Sequence, residues 1–207
     1  MQLVTINNNP MGQNVYLYFD PVKKEGVIID PGHNANEILA ETDKHDIAIK
    51  GILLTHGHFD HITAVGDINA HLQAEICCHT EEKSMLEDSE LNLSTRTGNI
   101  VEISPTRLLN CGDTFSFANT TLEIIHTPGH TPGCVCYYDK ENAVIFTGDT
   151  LFKMSVGRTD LPAGCRDTLM DGIKNKLFVL PGNVVVYPGH GGKTTIEQEK
   201  KSNPFVR

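Results

Sequence analysis

The residues Thr55-His56-Gly57-His58-Phe59-Asp60-His61 put four metal-capable side chains within six positions, directly after the apolar run Ile52-Leu53-Leu54. In extended backbone alternate residues point to one side, so His56 and His58 face a common point. Asp60 and His61 fall at the opening of the next helix and turn towards a neighbouring point. Imidazole and carboxylate donors accept zinc, iron or manganese, and two directions of approach suit two ions better than one. Gly57 is expected to let the chain turn sharply between crowded ligands. A histidine standing alone is more often a packed or solvated residue, and His33, His45, His71 and His79 are read that way.

Three later turns extend the cluster. His130 lies between two Pro-Gly pairs in Thr127-Pro128-Gly129-His130-Thr131-Pro132-Gly133. Asp149 follows the apolar run 143–146, and His190 follows Tyr187-Pro188-Gly189. Such turns at strand ends, like Asp30-Pro31-Gly32 earlier, are where function concentrates. Each is weak alone; after the first cluster they complete a set of seven, His56, His58, Asp60, His61, His130, Asp149 and His190. His126 precedes His130 by four residues, but 122–125 reads as a strand and Pro128 intervenes, so His126 is assigned a structural or ligand-orienting role. Cys134 and Cys136 read as buried strand cysteines rather than ligands.

The elements that must carry these residues are short. Runs rich in Val, Ile and Tyr at 14–19, 26–29, 49–54, 122–125, 135–138 and 184–187 predict strands. Helical spacing predicts helices at 36–44, 62–71, 81–87, 167–177 and 195–201. Strands interleaved with helices make an α/β layered fold. With 207 residues, no repeat and no Gly/Ser linker, one domain over 1–207 is expected. The polar stretch 89–99 reads as a surface loop.

A formal net charge of -9 sets the average surface field against nucleic acid and anionic membranes, leaving a small molecule as the expected partner. No segment reaches the ~18 apolar residues of a membrane helix. Residues 1–9 hold neither a basic patch nor a long apolar run. A cytoplasmic location is therefore expected, with the six cysteines reduced.

On these residues the chain resembles the metallo-beta-lactamase superfamily, whose pattern is His-x-His-x-Asp-His followed by separate His, Asp and His ligands. The resemblance runs from Asp30-Pro31-Gly32 to Asn203-Pro204-Phe205. Within it, Gly148-Asp149-Thr150-Leu151-Phe152 and Val156-Gly157-Arg158-Thr159-Asp160 are similar to the short bacterial glyoxalase II-like (hydroxyacylglutathione hydrolase-like) hydrolases. What this implies is an αββα four-layer sandwich with two divalent metal ions at one edge, zinc first, iron or manganese as alternatives. His56, His58 and His130 would hold one ion, Asp60, His61 and His190 the other, and Asp149 would bridge them.

The resemblance further implies a binuclear thioesterase that cleaves a 2-hydroxyacyl thioester such as S-D-lactoylglutathione by a metal-bridging hydroxide. Asp60 would orient the water or take its proton. A thiol of pKa about 8.5 leaves without a dedicated acid. Full-length glyoxalase II adds a C-terminal helical domain that supplies much of the thiol site, and a chain ending soon after His190 is expected to lack that contribution. Arg158 stands nine positions after Asp149, where the longer enzymes have a substrate-contacting Lys; with Lys153 it is expected to bind the substrate. One alternative is a persulfide dioxygenase, similar at Gly129-His130-Thr131-Pro132-Gly133 and Gly157-Arg158-Thr159-Asp160, with a single iron held by two His and one Asp. The other is a hydrolase of the same fold acting on another small ester, lactone or lactam.

Overall fold

The run Val15-Tyr16-Leu17-Tyr18-Phe19 has no polar alternation, so a strand built from it must be covered on both faces. The computed structural model, which describes residues 1–7 and 11–206, covers it that way. The reading of 1–9 thus falls partly outside the described residues. Strands β1 (Gln2–Ile6), β2 (Val15–Asp20), β3 (Glu25–Ile29), β4 (Ala48–Leu53), β5 (Glu75–His79) and β6 (Arg107–Leu109) form one sheet in chain order. Its first three strands are antiparallel, and β3 to β6 run parallel. The second sheet begins with the antiparallel strands β7 (Thr114–Phe117), β8 (Thr120–His126), β9 (Val135–Asp139) and β10 (Val144–Gly148). A small hairpin, β11 (Leu151–Phe152) and β12 (Ser155–Val156), follows. The second sheet then closes with β13 (Val185–Pro188), parallel to β10, and β14 (Thr194–Thr195).

Side-chain alternation sorts the apolar residues into three layers. Tyr16 and Tyr18 of β2, Val27 and Ile29 of β3, and Val135 and Tyr137 of β9 point between the sheets, where Phe115, Leu122 and Phe146 meet them. Val15, Leu17, Phe19 and Ile28 face outwards, against helices α1 (Ala35–His45), α2 (Phe59–Ile62) and α3 (Val65–Leu72). After the short α4 (Lys83–Leu86), α5 (Arg166–Gly172) and α6 (Ile196–Ser202) cover the far face of the second sheet with Leu169 and Ile196. Helix, sheet, sheet, helix is the expected αββα sandwich. Among the described residues no helix is long and apolar enough to cross a membrane.

The predicted helices stand, with local differences. The stretch 62–71 is two helices, broken where Ala64 N–H donates to Pro31 O rather than continuing one helix. Residues 81–87 open with a tight turn over Thr80–Glu82, and 167–177 end in a wider π-helical turn over Ile173–Leu177. The stretch 89–99 is not simply a surface loop: Asn92 and Ser94 are fully buried. Asn92 Nδ2 donates to Val101 O, and its carbonyl receives the Phe59 N–H at 2.9 Å, so this polar segment clasps the His-rich loop. Strands β1, β5, β6, β7 and β10 are not among the predicted strands, although β10 (Val144-Ile145-Phe146-Thr147) and β1 (Val4-Thr5-Ile6) have the composition of strands.

One buried carboxylate ties the sheets together. Asp139 Oδ2 receives Tyr18 Oη from the first sheet at 2.8 Å and Thr120 Oγ1 from β8 at 2.7 Å, while Asp139 also accepts from Asn142. Asp139→Ala leaves two buried hydroxyls without an acceptor, each costing about 1–3 kcal/mol. The expected loss is on the order of 3 kcal/mol in urea unfolding, with the far-ultraviolet circular dichroism of the folded state unchanged.

Candidate metal centre

All seven side chains of the proposed set come together at one edge of the sandwich, each from a loop or helix start that follows a strand. His56 and His58 leave the end of β4, and α2 starts with His58 at its amino-terminal cap and carries Asp60 and His61. His130 lies between β8 and β9, Asp149 follows β10 and His190 follows β13. The donor atoms of His56, His58 and His130 lie within 4.8 Å of one another, as do those of Asp60, His61 and His190. Asp149 stands between the two triads. Its Oδ1 is 3.3 Å from His61 Nε2, and its Oδ2 is 3.5 Å from His130 Nε2 and 3.8 Å from His190 Nε2.

The donor set fits divalent ions on a direct test. His56 Nε2, His58 Nε2, His61 Nε2 and Asp149 Oδ1 are buried without any hydrogen-bond partner among the described residues. Buried polar atoms left unpaired cost roughly 1–3 kcal/mol each, and cations shared between them would remove that cost. Burial is graded across the set: His56 and His61 are inaccessible, whereas the His190 side chain is 28% exposed, so the centre opens on that side. Beside Asp60 lies a cavity of about 250 Å³ bordered by Gly32, His33, Phe59, Thr63 and Thr97.

Neighbouring groups fix the rings. Asp30 Oδ2 lies 2.8 Å from His61 Nδ1, while Asp30 also accepts the Thr55 N–H at 2.7 Å and the Thr55 hydroxyl at 2.5 Å. That hydroxyl in turn lies 3.1 Å from His56 Nδ1. His130 Nδ1 donates to Arg158 O at 2.7 Å, which presents Nε2 to the centre. The His190 loop is braced from the other sheet: Asn14 N–H donates to Gly189 O, Asn14 Nδ2 to Pro188 O and Gly191 O, and Tyr16 Oη to Pro188 O.

The electrostatics divide the two triads. Burial, reinforced by the other histidines, holds His56 well below the ordinary imidazole range, and it pushes His58 down to about 3. Both therefore offer lone pairs at neutral pH. Burial acts the same way on His61, but Asp149, Asp60 and Asp30 outweigh it and hold its pKa well above the ordinary value. His190 is also raised, burial being outweighed by the hydrogen bond to Asp60 and the charge of Asp149. Burial would raise Asp60 and Asp149, yet His61 and His190 keep both below the ordinary carboxylate range.

Other predicted residues lie differently. Arg158 is exposed and its guanidinium forms a two-pronged pair with Asp160 at 2.7 and 2.8 Å, so its backbone carbonyl, not its charge, touches the centre. Lys153 is exposed at the turn of the β11–β12 hairpin, whose Phe152 ring lies 6.1 Å from the His190 ring. Gly57 has no left-handed backbone; it is a glycine for lack of room, since a Cβ would come 3.0 Å from Met85 Cγ and 3.2 Å from Glu82 Oε1. His126 lies outside both triads and stacks on His79 at 3.9 Å. With Glu81 these two make a further metal-capable group, but His126 Nε2 is taken by Pro132 O and His79 Nδ1 by the Glu81 N–H. Sequence reasoning passed over Asp30, Asn14 and Glu82. Asp30 was visible only as part of a turn, although an acidic residue directly after an apolar strand has few other uses.

Comparison with known proteins agrees with this geometry. The sequence profile described as Metallo-beta-lactamase superfamily matches residues 8–190. Hydroxyacylglutathione hydrolase GloC of Haemophilus influenzae is 40% identical over 197 residues, 94% of this chain and 92% of that protein. Among solved structures, BLEG-1 B3 metallo-beta-lactamase superposes with a TM-score of 0.93 at 40% identity, covering 99% of both chains. TTHA1623 in a di-iron-bound form gives a TM-score of 0.84 at 35% identity over 99% of this chain and 100% of that one.

Removing the Asp30 contact by Asp30→Asn is expected to lower metal affinity roughly 10- to 100-fold, as loss of a ligand-orienting partner does, read by competition with a chromophoric chelator. The pH dependence should differ between triads. An ion entering beside Asp60, His61 and His190 displaces protons that the raised pKa values hold, so affinity there falls as pH drops towards and below that range. His56 and His58 hold no such protons. Dialysis at stepwise lower pH from 8 to 5.5, followed by elemental analysis, should show one equivalent leaving before the other.

Proposed function

The chain belongs to the metallo-beta-lactamase superfamily, and from that premise we propose that it is a metal-dependent thioester hydrolase acting on a 2-hydroxyacyl thioester such as S-D-lactoylglutathione. The observation that carries the reading is Asp149 between two complete triads, 3.3 Å from His61 and 3.5 Å from His130. That arrangement supports two ions that share one carboxylate. Zinc fits the nitrogen-rich donors, and iron or manganese fit them too. Bound divalent ions supply Lewis acidity, which makes water nucleophilic near neutral pH and draws charge from a carbonyl.

The chain's own residues do the rest. Neutral His56 and His58 present lone pairs, while Asp60, ionised and 3.2 Å from His190 through Oδ2, orients the attacking water and takes its proton. The acyl part of the substrate occupies the cavity beside Asp60, between Phe59 and Thr63. Lys153, on the hairpin next to His190, attracts the carboxylates of the carrier thiol, and Arg158 contributes only when released from Asp160. Once Asp60 has taken the water's proton it is the one acid in the set, and no dedicated acid stands among the seven for the leaving group. A thiolate leaving group tolerates this because its pKa is about 8.5.

The similarity to BLEG-1 supports a second reading, cleavage of a β-lactam. Its leaving group is an amine nitrogen, which departs poorly without a proton donor, and so the thioester is the better match to these residues. Elemental analysis of the purified protein, followed by assays of the same sample with S-D-lactoylglutathione, a chromogenic cephalosporin and glutathione persulfide, separates the readings. Two ions per chain are expected, with thioester turnover that falls roughly 1,000-fold in His58→Ala, the loss of several kcal/mol of charge stabilisation. Turnover of the cephalosporin alone would favour the lactam. A single iron with oxygen uptake on persulfide would overturn hydrolysis altogether.

A further inference from the structure

Glu82 is a carboxylate with no exposure to solvent, far along the chain from every proposed ligand. It ends the tight turn Thr80–Glu82 that follows β5, a turn capped by the His79 ring. Its Oε1 accepts the Gly57 N–H at 2.7 Å. Its Oε2 accepts the Thr131 hydroxyl at 2.9 Å and the Gly133 N–H at 2.7 Å. Gly57 stands between His56 and His58, and Thr131 follows His130, so these three bonds join the two loops that carry one triad; they reach Asp60 and His61 only through the start of α2 and do not touch the His190 loop. The surroundings are cut to fit the carboxylate. A Cβ on Gly133 would overlap the Glu82 backbone and lie 2.6 Å from Oε2, and a Cβ on Gly57 would approach Oε1.

We infer that Glu82 is a positioning residue that fixes the spacing of His56 and His58 against His130, and thereby sets the affinity of that triad more than that of the other. Three hydrogen bonds of 2.7, 2.9 and 2.7 Å from two separate loops to one buried side chain leave little freedom to either loop. The second triad takes its order from Asp30 and from the Asn14 brace on the His190 loop. Asp30 also reaches the first triad through Thr55 and His56, so Glu82 is the fastening particular to the first triad and the Asn14 brace the one particular to the second. The inference rests on the two-triad reading of the metal centre and not on the identity of the substrate.

The test is cobalt(II) titration of the protein stripped of metal, followed by its visible absorption. His58→Ala and His190→Ala identify which step belongs to which triad. In Glu82→Gln an amide nitrogen replaces one acceptor oxygen and meets another donor, so the step lost in His58→Ala should weaken roughly 10- to 100-fold, while the step lost in His190→Ala changes by a clearly smaller factor. Thr131→Val removes a single donor and should weaken the same step by less; it stands in if Glu82→Gln fails to fold. Equal weakening of both steps, or no change in either variant, overturns the inference. Fewer than two cobalt ions on the wild-type protein would instead defeat the two-triad reading itself.

Discussion

The constraint on which the rest of this structure depends is the convergence of polar atoms that have nothing to bond to. Nitrogens of His56, His58 and His61 and an oxygen of Asp149 are buried against one another without partners. A chain folding freely would splay them apart or let water in. Here they stay because strands from both sheets deliver them to one edge, and because the far side of three rings, those of His61, His130 and His56, is already occupied. Asp30 takes the outer nitrogen of His61, the Arg158 carbonyl that of His130, and the Thr55 hydroxyl sits against that of His56. The rings cannot rotate away without breaking a bond on their far side.

The two sheets are therefore not a passive support. One triad spans β4 and the β8–β9 turn, and the other spans α2 and the end of β13, so each is split between the sheets. Any slip between the sheets would open both. Three contacts oppose that slip: Tyr18 on Asp139 at the end of β9 away from the metal centre, Tyr16 on Pro188 nearer the centre, and Tyr137 on Leu54 O beside the His-rich loop. Each is a tyrosine whose ring lies in the apolar layer and whose hydroxyl reaches across it. This is why the aromatic residues of β2 and β9 are tyrosines at those positions, where phenylalanine would pack equally well but bond nothing.

The ligands were legible in the sequence because four of them are local, His130 and His190 sit in Pro-Gly turns that advertise a strand end, and Asp149 directly follows an apolar run. The helices were legible because apolar residues recur at helical spacing. What was not legible depends on distance along the chain. Glu82 meets Gly57 25 residues away and Thr131 49 residues away, and no local pattern marks a glutamate for burial. Asn92 is embedded in a polar stretch, and only its place beneath Phe59 turns a solvated reading into a buried one. Arg158 has a second role that its charge does not reveal: its guanidinium pairs with Asp160 two residues on, while its backbone carbonyl bonds His130.

Charge decides what the centre does when no ion is bound. Asp60 and Asp149 lie inside it, and Asp30 and Glu82 are buried against its loops. Asp60, Asp149 and Asp30 so placed call for positive charge, since an uncompensated buried charge costs more than any of the hydrogen bonds described; burial pushes Glu82 up to about 7, so it adds less. Without ions that charge comes as protons on His61 and His190, held there by Asp149 and Asp60 against the pull of burial. Two divalent ions would carry four positive charges in the same space and release those protons. The neutral pair His56 and His58 has nothing to release, so the two halves of one centre load on different terms: one by filling empty lone pairs, the other by exchange of protons for metal.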